Sequence, residues 1–264
     1  MLTCDDLFSC VGGHALGLHA AGPIQTIRFV EADAWRRKVI AHHFPGISIY
    51  DDVHTAPTGM RADILVGGPP CQRTSALSAV HGYRTGHSLW SAMLHHAQHG
   101  HYGWIVVEQP ASAGRTWFAQ VQADLEATGR RVRRLDLTAF GLGAPHTRPR
   151  MFAIAHCDVS RLEIAWQAGS READRIARGT ASGNVWISGP PRGLRVADGI
   201  PGGLDGYSVG RQRRIEAIGD SNPPAMMTAI GRAILSAEGF DVATPPAQAN
   251  RVTALDRAAV IAAE

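Results

Sequence analysis

Apolar runs alternate with helical patterns through the first half of the chain. Short apolar runs typical of buried strands occupy residues 2–8, 26–30, 64–66, 104–107, 132–137 and 151–155. Segments in which apolar residues recur every three or four positions lie between them, at 16–21, 34–43, 89–99 and 116–128. This alternation predicts an α/β fold, in which a parallel sheet carries helices on both faces. Ligands of such sheets bind at the carboxyl ends of the strands.

The pattern changes after residue 156. From 157 to about 208 it is irregular and rich in glycine and proline, which favours a small appendage or long loops. Helical periodicity returns at 211–218 and 225–237, Thr244-Pro245-Pro246 is typical of a linker, and 252–263 favours a terminal helix. The predicted parts are a large α/β domain at 1–156, an appendage at 157–208, helices at 209–240 that return to the large domain, and a linker with a helix at 241–264.

Composition and charge exclude several classes of protein. With 45% hydrophobic and 19% charged residues, the chain is globular rather than disordered or fibrous. The formal net charge of +3 argues against a strongly electropositive coat for nucleic acid. Four cysteines, at 4, 10, 71 and 157, form no CxxC pair. This pattern favours free thiols in a reducing compartment.

Candidate chemistry gathers where the predicted strands end. Gly12 and Gly13 follow the first strand and open a helix, so the backbone can approach a ligand and offer free N–H groups. Such a turn is structural about half the time. Glu31 ends the second strand, where an acid bonds ribose hydroxyls in nucleotide-type sites. The alternative is that Glu31, with Asp33 behind it, caps the helix that starts near Ala34.

A rigid turn, Gly67-Gly68-Pro69-Pro70-Cys71-Gln72, follows the third apolar run. It would present the Cys71 thiol at the ligand edge of the sheet, where its thiolate form would be a nucleophile. A buried structural cysteine is the usual alternative, but a strand-end loop of this composition is seldom part of a core.

Two further segments carry ionisable groups to the same edge. Glu108 directly follows the buried run 104–107, which suits it to proton transfer beside Cys71. His146-Thr147-Arg148-Pro149-Arg150 precedes another strand, and Arg148 and Arg150 lie two residues apart in an extended segment, so they point to the same side. They are suited to gripping a phosphate or a carbonyl oxygen. The segment 219–224 is typical of a turn before a final amphipathic helix.

Taken in order, these motifs resemble the cytosine-C5 methyltransferases, a family with a glycine turn followed by GGPPCQ, ENV, QxRxR and GNSV. GGPPCQ matches in full at 67–72. The resemblance covers 3–156 continuously and 193–235 more loosely, and 194–201 looks like compact bacterial and phage versions of the family. It implies a Rossmann-like sheet of the type that uses S-adenosylmethionine, with S-adenosylhomocysteine as product and no metal.

The resemblance implies a cofactor site at the strand ends. Phe8 would lie beside the adenine, Glu31 would bind the ribose, Trp35 would stack near the adenine, and Asp52 would meet its amino group. The implied cofactor-binding residues are Phe8, Ser9, Gly12, Gly13, Glu31, Ala32, Trp35, Asp52, Val53, Pro69 and Asn222.

The resemblance also implies a mechanism and a substrate. Cys71 would attack C6 of a cytosine in double-stranded DNA while Glu108 protonates N3, and C5 would then take the methyl group. Arg148 and Arg150 would support the base and its phosphate. Because a base inside a duplex cannot meet these groups, it would have to flip out.

In the family's terms, 1–156 is the catalytic domain and 157–208 is a reduced target-recognition region. Arginines suit this region to binding phosphates, and the alternative interpretation is that they form a solvated surface. They are Arg161, Arg171, Arg175, Arg178, Arg192 and Arg195. It has little surface for base readout, so we expect a short or relaxed target sequence.

The sequence departs from the family's pattern at several positions. Cys10 replaces a glycine and narrows the space for the cofactor's amino-acid end; Gln109-Pro110, His146 and Asp220 also differ. These departures leave two alternatives open. One is the same chemistry on RNA or a free cytosine nucleotide, and the other is a non-catalytic DNA-binding relative.

The sequence also favours an oligomeric state, a location and a set of biological roles. We expect a monomer that does not bind membranes and lies in the cytoplasm, associated with the nucleoid, or in the host cytoplasm if phage-encoded. Restriction-modification, phage self-modification and gene regulation all remain open. Histidines cluster at 95, 96, 99 and 101, but no cysteine or acid completes a metal site, and solvated histidines are the favoured interpretation.

Overall fold

A computed structural model describes residues 1–59, 61–70, 89–144, 146–181 and 211–242. Seven strands form one sheet in the order β3-β2-β1-β4-β5-β7-β6. The strands are β1 (Leu2–Leu7), β2 (Ile24–Val30), β3 (Ser48–Tyr50), β4 (Ile64–Gly67), β5 (Trp104–Pro110), β6 (Arg131–Thr138) and β7 (Pro149–His156). The order reverses between β1 and β4, and ligands of open α/β sheets bind at such a point.

The sheet is mixed, so the prediction of a parallel sheet is correct for β1 to β5 and wrong at one edge. β7 runs antiparallel to β5, and β6 runs antiparallel to β7. The cause is the connection from β6 to β7, which carries only the short 3₁₀ helix Phe140–Leu142. A parallel crossover needs a dozen or more residues, usually including an α-helix.

Helices cover both faces of the sheet. The described α-helices are α1 (Gly13–Ala21), α2 (Ala34–His43), α3 (Trp90–His99), α4 (Gly114–Glu126), α5 (Val159–Ala181), α6 (Arg211–Asp220) and α7 (Pro224–Ala237). On what we call the first face, α1, α5 and α7 pack over side chains such as Cys4, Val66 and Phe152. On the second face, α3 and α4 pack over side chains such as Leu65 and Ile105.

Alternation along the strands decides which groups share a face. In β5, Trp104 and Val106 lie in the core of the first face and Ile105 and Val107 in that of the second. Because successive strand residues point to opposite sides, Glu108 falls on the first face. The carboxyl ends of β1, β2, β4 and β5 meet at one edge of the sheet, and the alternation tells which side chains there lie on which face.

The segment predicted to be irregular is in part a long helix. Residues 159–181 form α5, whose buried Leu162, Ala165 and Ala168 pack on the first face. The prediction failed because the glycine- and proline-rich motifs of this segment lie at 189–203, and their irregular pattern was extended back over the proline-free residues 159–181. Residues 182–210 lie outside the described residues, as do the predicted linker and terminal helix. The short strand β3 was not predicted.

No helix in the described ranges is long and apolar enough to cross a membrane.

Candidate active site

The first strand ends in a tight turn that leads into α1. Phe8 and Cys10 have φ angles of 57° and 52°, and Gly12 has 85°. Such left-handed angles suit glycine and strain other residues. A Cβ at Gly12 would lie 2.6 Å from the ring of Phe44, so this position requires glycine on two grounds.

Glu31 holds this turn against the end of β2. Its Oε2 accepts a hydrogen bond from the backbone N–H of Cys10 and its Oε1 from that of Asp33, both at 2.8 Å. Burial raises the pKa of Glu31, and the backbone hydrogen bonds and Arg36 oppose the rise. Asp33, not Glu31, caps α2, because Asp33 accepts from the backbone N–H groups of its first turn. The alternative in which Glu31 is a helix cap is therefore wrong.

The Cys10 side chain turns toward α6. Its Sγ lies 3.1 Å from the carbonyl oxygen of Ala217, and the residue is buried. Burial raises the pKa of this thiol far above its ordinary value. Arg36 of α2 also pairs with Asp220 at 2.6 Å, so α6 is fastened over the turn at two points.

The other predicted cofactor residues line the ends of β2 and β3. Ala32 follows Glu31, and Trp35 is half-buried against the cluster that contains Cys10 and Val11. Asp52 is exposed, and its Oδ1 accepts from the backbone N–H of His54 at 2.9 Å. Val53 is buried, and its carbonyl oxygen lies 2.7 Å from Nε2 of His96.

Glu108 lies buried at the end of β5, on the first face. Its Oε1 forms an ion pair with Nε of Arg150 at 2.7 Å. A Cβ built on Gly68 would lie 2.8 Å from its Oε2, so the loop after β4 passes directly against this carboxyl. The predicted convergence of the two strand ends is thus present up to Pro70.

The same loop is fixed on the second face as well. Gln109 donates a hydrogen bond from Nε2 to the carbonyl oxygen of Pro69. Cys71, two residues further on, lies outside the described residues. Its predicted role therefore stays a prediction.

Arg148 has a different set of partners from Arg150. Its guanidinium donates to the carbonyl oxygens of Ile218, Gly219 and Ser221, the first two at 2.7 and 2.9 Å. These contacts join the end of α6 to the start of β7. Arg148 thus has a clear structural role here, while its contact with a phosphate stays a prediction.

The loop between α6 and α7 packs against Gly13. A side chain at Gly13 would collide with Ser221 Oγ and with the carbonyl oxygen of Asn222. Both residues are buried, and Ser221 Oγ and Asn222 Oδ1 have no hydrogen-bond partner among the described residues. The loop therefore brings one unsatisfied oxygen, Ser221 Oγ, directly to the glycine turn.

A buried acid–histidine pair lies beneath the turn. Asp6 Oδ1 and His14 Nδ1 are 3.0 Å apart, and the two side chains are 0% and 5% exposed. Neither Asp6 Oδ2 nor His14 Nε2 has a hydrogen-bond partner in the described part of the chain.

A known protein family matches most of this chain. Residues 2–171, well over half of the chain, match the model of the C-5 cytosine-specific DNA methylases. The chain belongs to this family. One curated relative is the type II methyltransferase M2.BsuMI of Bacillus subtilis, which is 29% identical over 180 residues. The matched region is 64% of this chain and 45% of M2.BsuMI, so the chain spans about half the length of that relative.

Solved structures share the fold. DNMT2 of Spodoptera frugiperda has a TM-score of 0.50 at 15% identity, covering 61% of this chain and 51% of that one. The Dnmt2 methyltransferase of S. pombe has a TM-score of 0.48 at 15% identity, covering 59% and 49%. The DNMT2 likeness is one of fold, and with the sheet it confirms the predicted α/β, Rossmann-like class.

A C-5 cytosine-specific methylase implies S-adenosylmethionine, and the residues present fit it. Each Glu31 oxygen accepts one backbone N–H group, which leaves lone pairs for ribose hydroxyls because a carboxylate accepts about four hydrogen bonds. Ser221 Oγ and Asn222 Oδ1 are unsatisfied acceptors beside the N-terminus of α1, suited to a charged amino-acid end. No group of His, Cys, Asp or Glu that could hold a metal occurs among the described residues.

Asp6, His14 and Ser221 are not among the residues predicted from the sequence. Two signals were available: an ionisable residue within an apolar strand, and a histidine directly after Gly12-Gly13 in the first turn of a helix. The partners of these side chains come from separate elements, so the sequence alone does not pair them.

Proposed function

We propose that this chain transfers a methyl group from S-adenosylmethionine to C5 of a cytosine in DNA. The observation that supports this most strongly is the approach of the loop after β4 to Glu108. Gly68, three residues before Cys71, packs against the carboxyl of Glu108, which Arg150 holds at 2.7 Å. A nucleophile and an acid on one edge are what addition to a cytosine ring requires.

Cys71 supplies the nucleophile in this proposal. Its thiolate bonds to C6 of the cytosine, and Glu108 gives a proton to N3, so the electron pair of the C5–C6 double bond becomes available at C5. The buried Glu108 is suited to this step because it lies away from competing water. Arg150 fixes the orientation of the carboxyl by the ion pair at 2.7 Å.

When bound, S-adenosylmethionine supplies the electrophilic methyl group that C5 takes up. Water then takes the C5 proton, the electron pair of that C–H bond restores the C5–C6 double bond, and Cys71 leaves C6 as the thiolate. Glu108 recovers the N3 proton. The enzyme ends in its starting state. The base has to leave the duplex, since a stacked cytosine cannot reach these groups.

Glu31 would hold the ribose, with Phe8, Trp35, Asp52 and Val53 beside the adenine. Ser9, Gly12, Gly13 and Asn222 would hold the amino-acid end. Glu31 is supported by its fixed carboxylate and Asn222 by its unsatisfied oxygen. We further propose a monomer acting on double-stranded DNA with a short or relaxed target, because the segment 157–208 is small and α5 packs its described part onto the sheet.

Trapping with 5-fluorocytosine tests the proposal. A pool of random-sequence duplexes that contain 5-fluorocytosine is incubated with the chain and S-adenosylmethionine. Fluorine at C5 cannot leave as a proton, so we expect a protein–DNA adduct that survives denaturation and depends on S-adenosylmethionine.

The matched control is Cys71→Ala, which should form no adduct. Absence of an adduct in every duplex pool, or an adduct that persists in Cys71→Ala, would contradict the proposal. Tritium transfer from labelled S-adenosylmethionine to duplex DNA, tRNA and dCMP identifies the substrate. Transfer to tRNA or dCMP alone would reject DNA as the substrate.

A further inference from the structure

Arg148 stands directly before β7, two residues from the arginine that holds Glu108. Its φ angle is 32°, in the left-handed region that residues other than glycine seldom adopt. The alternation of an extended strand therefore does not apply at Arg148, and its side chain is not bound to follow the direction of Arg150. Their partners differ: Arg150 holds Glu108 at 2.7 Å, whereas Arg148 reaches α6.

The guanidinium of Arg148 closes the carboxyl end of α6. The last carbonyl groups of a helix have no partner within the helix, and a positive charge beside them is favourable. Nη2 of Arg148 donates to the carbonyl oxygens of Ile218 at 2.7 Å and Gly219 at 2.9 Å, both in the last turn of α6. It also donates to the carbonyl oxygen of Ser221, the first residue after the helix. Arg148 is thus a cap for α6 that comes from another element.

Ser221 carries the effect of this cap to the glycine turn. Its N–H donates to the carbonyl oxygen of Ala217 at 3.0 Å and its own carbonyl oxygen accepts from Arg148, so its backbone is fixed on both sides. A side chain at Gly13 would collide with Ser221 Oγ, which is buried and has no hydrogen-bond partner among the described residues. Arg148 therefore holds in place a residue whose unsatisfied hydroxyl lies at the start of α1.

Two other contacts fasten α6, and both act on the helix itself. Cys10 Sγ lies 3.1 Å from the carbonyl oxygen of Ala217, and Arg36 pairs with Asp220 at 2.6 Å. The side chain of Asp220 is 61% exposed, and such pairs contribute little. Arg148 adds a direct bond to the loop that follows the helix.

These contacts compete with the phosphate role that the resemblance implies for Arg148. If Nη2 turned toward a phosphate, three carbonyl oxygens would lose their donor. Ile218 and Ser221 are buried, and a buried carbonyl group without a donor is costly. The observed geometry favours a guanidinium that stays on α6.

We propose that Arg148 is a positioning residue for S-adenosylmethionine. By capping α6 and bonding the backbone of Ser221, it holds Ser221 Oγ at the glycine turn, where a hydroxyl can donate to or accept from the charged groups of the cofactor's amino-acid end. Without Arg148 the cofactor has to order this loop when it binds, and that cost raises its Kd. The proposal rests on the proposed function. It gives the two arginines separate tasks, since Arg148 shapes the cofactor site and Arg150 orients Glu108.

Calorimetric titration of the full chain with S-adenosylmethionine tests the proposal, with Arg150→Gln as the matched control. Arg148→Gln should raise the Kd about tenfold, the factor that corresponds to one hydrogen bond with a charged group. Arg150→Gln should leave this Kd unchanged while it lowers the rate of methyl transfer. Calorimetry gives Kd separately from the number of binding sites, so partial unfolding of a variant lowers the number of sites and not the affinity.

Two further measurements separate the cap from a phosphate contact. Affinity for a random-sequence duplex is measured at several salt concentrations, because loss of one phosphate contact reduces the slope of log affinity against log salt by about one. We expect the same slope for Arg148→Gln as for the wild-type chain. In the ligand-free protein, the amide of Ser221 should exchange its hydrogen faster in Arg148→Gln, because its bond to Ala217 lies under the cap.

The proposal is overturned by any of four results: an unchanged Kd in Arg148→Gln, an equal rise of the Kd in Arg150→Gln, a salt slope reduced by about one, or unchanged exchange at Ser221. Failure of the proposed function is distinguishable. A chain that binds S-adenosylmethionine with the expected dependence on Arg148 but methylates no cytosine rejects the proposed function and keeps the role of Arg148. A chain that methylates DNA but binds the cofactor independently of Arg148 rejects this role alone. A wild-type chain that does not bind S-adenosylmethionine rejects both.

Discussion

Asp5 and Asp6 are adjacent on β1, equally buried, and yet have very different surroundings. Asp5 points to the second face, where Arg28 donates to both of its oxygens and the hydroxyl of Tyr102 donates at 2.7 Å. Asp6 points to the first face, where one oxygen meets His14 and the other has no hydrogen-bond partner in the described ranges. We call Asp5, Arg28 and Tyr102 the closed cluster because both oxygens of Asp5 are hydrogen-bonded, although Arg28 Nη1 has no hydrogen-bond partner among the described residues. We call Asp6 and His14 the open cluster.

The difference favours a structural role for the closed cluster and leaves the open cluster available for function. Arg28 and Tyr102 occupy both oxygens of Asp5, which suits this acid to a role in the folded state. Unsatisfied buried groups are costly, and they persist where function uses them. The open cluster lies on the face that also carries Glu108 and Arg150, whereas the closed cluster lies on the opposite face.

Asp5→Asn should give the largest loss of stability. It leaves the buried Arg28 without its counter-charge, which we expect to cost about 3–5 kcal/mol of the free energy of unfolding. Methyl transfer per folded molecule should not change. Denaturant titration and a rate normalised to folded protein check both parts. A loss below about 1 kcal/mol would show that the Asp5 cluster is not a closed structural unit.

Asp6→Asn should lower the free energy of unfolding less than Asp5→Asn does, and should lower the rate of methyl transfer more. It removes one charged hydrogen bond, worth about 1.5–3 kcal/mol, and lowers the pKa of His14. Denaturant titration measures the loss of stability, and the rate of methyl transfer normalised to folded protein measures the loss of activity. If Asp6→Asn and Asp5→Asn had equal methyl-transfer rates per folded molecule, the distinction between the two faces would fail.

Gly68→Ala should have the smallest effect on stability of these three variants. Its effect should fall on Glu108, on the first face. The added Cβ lies 2.8 Å from Glu108 Oε2, so the carboxyl must shift away from Arg150. We expect a cost of about 1 kcal/mol, because the end of a side chain can move. The rate of methyl transfer should fall while the binding of S-adenosylmethionine, measured by calorimetry, stays the same. An unchanged rate of methyl transfer would argue against the close approach of Gly68 to Glu108.

The pH dependence of stability should have opposite signs at His14 and His96. The pKa of His96 on the second face is lowered, first by burial, so its contribution is complete above about pH 6.5 and is lost as the pH falls. The pKa of His14 is raised, so its contribution is complete below about pH 6.5 and is lost as the pH rises through the raised value. Denaturant titrations from pH 5 to 9 of His96→Gln and His14→Gln should flatten opposite ends of the profile. A profile flattened at the same end by both would contradict this assignment.

The sequence predicted the strands and helices that have a strong local pattern. The helix at 34–43 agrees with α2 at both ends, and the buried run 64–66 agrees with β4. The antiparallel edge was not predicted, because it depends on the pairing of β7 with β5 rather than on local periodicity. Strand β3 has only three residues, too few for an alternating pattern to show.

Candidate site residues could be predicted from the sequence where they belong to a local motif. Glu31, Glu108 and Arg150 stand out because each follows or precedes an apolar run. The pairing of Asp5 with Tyr102, which is 97 residues away, and the unsatisfied state of Asp6 are properties of tertiary packing. The carbonyl partners of Arg148 come from the end of α6 and from Ser221 just after it, about 70 residues downstream, which no local pattern indicates.

We expect the first face, which carries Glu108 and Arg150, to serve methylation of cytosine in DNA. The most direct measurement is the 5-methylcytosine content of DNA from a host without cytosine methylation of its own, determined by mass spectrometry of nucleosides after expression of the chain. We predict 5-methylcytosine with the wild-type chain, reduced content with Asp5→Asn only in proportion to its folded fraction, and none with Cys71→Ala or Glu108→Gln. No 5-methylcytosine with the wild-type chain, or undiminished content with Cys71→Ala, would contradict the account.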